Sequence, residues 1–105
     1  MSFRVEVSDR AARELRDAAE WIAKDNPQAA ERWFQGFIEA IELLGKNPRG
    51  CGYAQEHRKF PFELRQLLYG RRKTYRAVFT IDADSVIVLT IRHTARRNLR
   101  RDELP

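Results

Sequence analysis

Apolar residues recur along this chain at changing spacings, and the changes fall at turn-forming residues. Residues 3–7 alternate, with Phe3, Val5 and Val7 on one side and Arg4 and Glu6 on the other, which predicts a short strand. Ser8 or Asp9 can cap the helix that follows. Ala11, Leu15, Ala18 and Ile22 fall at i, i+4, i+7 and i+11, with Ala12 and Ala19 beside them and charged side chains mostly elsewhere. That stripe predicts an amphipathic helix over about 8–25. Asn26-Pro27 then offers an N-cap and a first helical residue. A second helix is predicted over about 27–46, with a wider stripe of Ala30, Trp33, Phe34, Phe37, Ile38, Ile41 and Leu44. Gly45 and Asn47-Pro48 end it. The very short connection at Asp25-Asn26 makes the two helices an antiparallel hairpin.

Residues 47–61 carry several Pro/Gly-type breaks and read as loop. Three strands are predicted after it, at about 62–69, 73–82 and 85–93, with turns at 69–72 and 82–85. The tail, 94–105, is polar and basic, and reads as a short helix or as unordered when alone. The order β-α-α-β-β-β describes an α+β domain: a small, mostly antiparallel sheet with the helical hairpin packed on one face. Alternation assigns Phe62, Leu64 and Leu68, then Tyr75, Ala77, Phe79 and Ile81, then Ile87, Leu89 and Ile91 to the helix side. Bringing those sets to one face requires residue 81 to pair with 87, 79 with 89 and 77 with 91. The opposite, open face then carries one arginine per strand, with Arg76 directly across from Arg92 and Arg65 diagonal to Arg76. Like charges placed opposite each other on a sheet are unfavourable by tenths of a kcal/mol to about 1. Arg65, Arg76 and Arg92 therefore point to an anion-binding face. The alternatives are that Glu63, Asp102 or Glu103 neutralises them, or that they splay into water.

Composition fits one small domain spanning residues 1–105. Two Trp, three Tyr and six Phe can fill one core. No apolar run reaches the ~20 residues of a membrane span, and the N-terminal residues lack the apolar stretch of a signal peptide. The single cysteine, Cys51, excludes an internal disulfide and a cysteine-rich zinc site. A cytoplasmic protein with no membrane association is expected, and a core this small makes a partner chain plausible. Charge is uneven. Residues 1–57 hold eight Lys/Arg against ten Asp/Glu, whereas residues 58–105 hold twelve against five, a net of +7. Such a half suggests an anionic partner, either nucleic acid or an acidic protein segment.

Chemistry-bearing motifs are few. Cys51 lies between glycines with His57 six residues on, a pair more simply read as an incidental loop thiol and histidine. No glycine-rich phosphate loop or metal-ligand spacing is present, so no cofactor is expected. Tyr75-Arg76-Ala77-Val78-Phe79-Thr80-Ile81, a tight acidic turn, and then Val86-Ile87-Val88-Leu89-Thr90-Ile91-Arg92-His93-Thr94-Ala95-Arg96 resemble the C-terminal signature of the RelE/ParE toxin superfamily. The resemblance extends over the opening strand, the Ser8-started helix, the Asn-Pro-linked second helix and the three-strand finish.

This resemblance implies a toxin of a type II toxin–antitoxin or plasmid-stabilisation module, held inactive in a hetero-oligomer by a cognate antitoxin. Its two branches imply different targets. ParE-like members poison DNA gyrase without being enzymes; RelE-like members are interferases that cleave mRNA on the ribosome. Metal-free RNA cleavage needs a base, an acid and cations around the phosphorane. Arg65, Arg76, Arg92 and His93 are the candidates for that catalytic set. His93, at a strand end on the core side, is more simply a hydrogen-bonded structural residue. RelE-like nucleases usually carry a tyrosine or histidine pair near this end, whereas here Arg96, Arg97 and Asn98 follow and the last tyrosine is Tyr75. The ParE-like branch is the closer match, with Arg65, Arg76, Arg92, Arg96 and Arg97 as antitoxin- or anion-binding residues.

Overall fold

Ser8 decides where the first strand stops. In the computed structural model, which describes residues 2–104, its side chain accepts a hydrogen bond from the Ala11 amide (3.0 Å), satisfying a donor at the start of the first helix. The strand before it is β1 (Arg4–Val7) and the helix is α1 (Asp9–Ala23). Asn26 caps α2 (Pro27–Leu43) in the same way, accepting from the Ala29 amide (3.1 Å), with Pro27 in its first turn. Three strands follow: β2 (Arg65–Tyr69), β3 (Tyr75–Asp82) and β4 (Ser85–His93). The sheet order is β1-β4-β3-β2, with β1 parallel to β4 and the rest antiparallel. The fold is the expected α+β architecture. Met1 and Pro105, the ends of the expected single domain, lie outside the described residues.

The helical hairpin packs on one face over Ala11, Leu15, Phe37, Ile41, Ala77, Phe79, Val86, Val88 and Ile91. A close approach of α2 to β2 depends on Gly36, where a Cβ would collide with the Tyr69 hydroxyl; that hydroxyl donates to the Trp33 carbonyl (2.9 Å).

The register departs from the alternation at two places. In the β3–β4 hairpin Ala77 pairs with Ile91 and Arg76 with Arg92, as expected, but Phe79 pairs with Val88 and Ile81 with Val86. Leu89 is an extra residue, a bulge. The bulge turns β4 over part way along: Val86 and Val88 face the helices, while Leu89 packs on the other side of the sheet. Helix α1 fixes this irregularity. The Ser8 hydroxyl donates to the Leu89 carbonyl (3.1 Å), and one Glu14 carboxylate oxygen accepts from Thr90 Oγ1 (2.7 Å) and the Ile91 amide (3.1 Å). The backbone groups freed by the bulge are thereby satisfied. In the β2–β3 pair Leu68 sits opposite Arg76, one residue on from the pairing with Tyr75 that would set Arg65 diagonal to Arg76. This one-residue slip puts Leu67 and Tyr69 against the helices, and leaves Leu64 on the far face and Leu68 exposed.

The far face is not open. The loop before β2 and the C-terminal tail lie across it and build a second core from Ala54, Phe60, Leu64, Val78, Leu99 and Leu104, flanked by Phe62 and Leu89. The tail ends in a short helical turn at Arg101–Glu103.

The turn between β2 and β3 is unusual. After Gly70 (φ 89°), Arg72 (φ 60°) and Lys73 (φ 55°) both occupy the left-handed region. For residues with a side chain that conformation costs roughly 1–2 kcal/mol each.

Candidate functional site

Arg76 and Arg92 face each other across β3 and β4, as the sequence implied, but beneath the loop and tail rather than in solvent. Both are about 1% exposed. Arg76 is held by Glu56, itself fully buried in the loop before β2. Arg76 Nη1 donates to Glu56 Oε1 (2.8 Å) and Nη2 to Oε2 (2.5 Å), a two-pronged contact. Gln66 accepts a further bond from Nη1 (3.0 Å), and the Leu99 amide in the tail donates to Glu56 Oε2 (2.8 Å). Glu56 therefore ties the loop, the sheet and the tail together. Burial works to raise its carboxyl pKa, but the Arg76 and Leu99 hydrogen bonds outweigh it and hold the group below its ordinary value.

Arg92 is less well served. Its Nη2 donates to the Arg97 carbonyl (2.7 Å), but Nε and Nη1 have no hydrogen-bond partner. The nearest carboxylate, Glu103, stands 3.8 Å from Nη1. Burial, with Arg96, Arg76 and Arg97 adding to it against Glu103, pushes the Arg92 pKa below its ordinary value. Glu103 collects the cations of the tail. It accepts from Arg97 Nη1 (2.6 Å) and the Arg100 amide (2.8 Å), and it lies 3.9 Å from Arg10 of α1. The Arg97 bond and then the Arg100 amide bring its carboxyl down to about 2.

Arg65 does not join this pair. The register places it opposite Phe79, on the helix side of the sheet edge. There it bonds Glu63 and the Cys51 carbonyl (2.5 Å), and its guanidinium lies 4.3 Å over the Tyr53 ring. The expected cluster of three arginines is thus two buried and one separate. The expected neutralisers Glu63 and Glu103 do meet Arg65 and Arg92, whereas Asp102 pairs with Arg100 (3.9 Å). Sequence reasoning missed Glu56; the signal available was a lone acidic residue set among Ala54, Phe60 and Phe62, apolar side chains that an exposed loop has no reason to carry.

His93 sits at the end of β4. Its Nδ1 accepts from the Ala95 amide (3.0 Å), and its ring meets Tyr75 edge-on at 5.1 Å. With Glu14, Asp17, Tyr75 and Arg96 it lines an open cleft of about 240 Å³. His57 stacks on Tyr53 (4.2 Å) and accepts from the Leu64 amide (3.4 Å). Burial pushes the Cys51 thiol up, against the pull of Arg65, which disfavours a reactive thiolate. No three His, Cys, Asp or Glu side chains among the described residues group to hold a metal, and no helix is long and apolar enough to cross a membrane.

Comparison with known proteins adds to this geometry. Residues 5–98 match the family model described as ParE toxin of type II toxin–antitoxin system, parDE. Among solved structures, a chain of the chromosomal ParDE TA system from P. aeruginosa superposes with a TM-score of 0.72 at 19% identity, covering 88% of this chain and 96% of that one. No curated protein sequence matches.

Proposed function

The chain belongs to the ParE toxin family of type II toxin–antitoxin systems, and from that membership we propose that it is a cytoplasmic toxin that inhibits DNA gyrase and is neutralised by a cognate antitoxin. The observation that carries this reading is the family match across residues 5–98. The site geometry supports the non-enzymatic branch. A phosphorane site would need several cations converging on one exposed point. Here Arg76 is committed to Glu56, Arg92 is covered by the tail, and Arg65 lies elsewhere on the sheet. His93 already uses Nδ1 to accept a backbone hydrogen bond.

The antitoxin contact in this reading uses the exposed Arg96 and Arg97 of the tail. Arg92 comes into play where an acidic antitoxin segment displaces residues 94–104, while Arg76 stays with Glu56 of the loop before β2. Arg92 offers two unpartnered nitrogens that a carboxylate would satisfy. Charge reversal at Arg97 should weaken the complex and reduce its sensitivity to salt.

A second reading, a ribosome-dependent mRNA interferase, is favoured by one observation: the cleft that brings His93, Tyr75, Glu14, Asp17 and Arg96 together. Expression without antitoxin separates the two, with DNA synthesis and translation followed in parallel. Arrest of DNA synthesis with induction of DNA-damage repair is expected, and a folded His93→Ala protein should remain toxic. Positioned mRNA cuts that disappear in folded His93→Ala would install the interferase instead; removing a general acid or base typically costs about 10²–10⁴-fold in rate.

A further inference from the structure

Four cations crowd one end of the sheet without an acidic partner. Arg71, Arg72 and Lys73 form the exposed turn between β2 and β3, and Arg96 leaves β4 beside it. The two segments are joined where the Thr94 amide and hydroxyl both donate to the Thr74 carbonyl (2.7 and 3.0 Å). None of the four has a carboxylate within ion-pair distance among the described residues. By contrast, the neighbouring tail cations Arg97 and Arg100 both reach Glu103.

The backbone of this turn adds a second observation. Arg72 and Lys73 sit consecutively at positive φ, a region that glycine and asparagine enter more readily than long side chains. The chain instead keeps two long cationic side chains there, strained and exposed. Neither the turn nor residues 94–98 present an exposed large hydrophobic side chain. A tight protein–protein contact would use such an anchor at its centre, and single-stranded nucleic acid would use exposed aromatic faces for stacking. A surface on which four cations outnumber the two carboxylates near them, Glu14 and Asp17 of the cleft that Arg96 lines, suits a dense, regular line of phosphates.

We propose that the Arg71-Arg72-Lys73 turn with Arg96 binds the phosphate backbone of duplex DNA. The contact is sequence-independent, and it is a property of this chain apart from the gyrase target proposed above. Binding to labelled 20-base-pair duplex DNA is measured by fluorescence anisotropy between 50 and 200 mM salt. The variants are R72N/K73G, whose residues tolerate positive φ at lower cost, R72Q/K73Q, which keeps the side-chain bulk, and Lys46→Gln. Lys46 is exposed at the opposite end of the sheet, where Phe3 bonds Gly45 and Arg4 bonds Asp84.

Loss of two phosphate contacts should flatten the salt dependence by about 1.8 in log–log slope. Across that fourfold salt range the native chain should therefore lose roughly twelvefold more affinity than either double variant. Lys46→Gln should behave as the native chain. R72N/K73G should also unfold at a higher temperature, which separates loss of binding from loss of fold. The proposal is overturned by absence of duplex binding, by equal slopes in the native chain and both double variants, or by tighter binding to duplex RNA or polyglutamate than to duplex DNA.

Discussion

Replacing Glu56 with alanine removes the acceptor of two Arg76 hydrogen bonds and of the Leu99 amide, and leaves a guanidinium about 1% exposed with only Gln66 beside it. Breaking a buried ion pair by deleting one partner costs about 3–5 kcal/mol, because the remaining charge is uncompensated. A domain of this size has a total stability of only about 5–15 kcal/mol. At about 4 °C or more per kcal/mol for a small domain, the melting temperature should fall by roughly 12 °C or more. The pair itself need not be the source of stability, since apolar replacements of similar volume are often neutral or better. The double variant E56L/R76M should therefore recover most of the loss. Thermal unfolding by circular dichroism, with denaturant titration for the free energies, measures both. Hydrogen exchange at the Leu99 amide should rise sharply in Glu56→Ala. A Glu56→Ala protein within about 1 kcal/mol of the native chain would refute the claim that this pair is dry and committed. A double variant as unstable as the single would refute the argument from an uncompensated charge.

Glu14→Ala should free the Thr90 hydroxyl and Ile91 amide at the β4 bulge, costing about 1–3 kcal/mol for each group left unsatisfied, with faster exchange at Ile91 as the local signature. The pH profile should carry the tail. Glu103 has a folded pKa of about 2, against an ordinary 4.5, so its contribution is fully present above about pH 4.5 and lost as pH falls through about 2. Glu56, also lowered, acts in the same direction. Denaturation midpoints between pH 2 and 6 should therefore fall toward acid, and Glu103→Gln should flatten part of that slope.

The helices were legible because their signals are local. Ser8 and Asn26-Pro27 mark both starts, and the apolar stripes run at helical spacing up to the breaks. The β4 boundaries, Ser85–His93, also follow from the turn residues and the β-rich run. What alternation could not carry was the bulge at Leu89, since a period of two assumes an unbroken ladder. Its anchor, Glu14, lies 76 residues away from Thr90 in sequence. The same limit hid the second core. Leu99 and Leu104 read as isolated apolar residues in a basic tail, and only the folded chain shows them closing over Val78 and Leu64. The facing of Arg76 and Arg92 was legible, because Ala77 and Ile91 pair on the far side of the bulge from the slip. Their burial was not, because it depends on Glu56 arriving from a loop.

Gyrase is the proposed target of this ParE-family chain, acted on without chemistry of the chain's own. The most direct test is supercoiling of relaxed plasmid by purified gyrase and ATP in the presence of the purified toxin, with His93→Ala alongside and the antitoxin added last. Loss of supercoiling with both proteins, accumulation of gyrase-cleaved DNA, and recovery on adding antitoxin are expected. Undiminished supercoiling at saturating toxin, together with mRNA cleavage on purified ribosomes that His93→Ala abolishes, would contradict the proposed target.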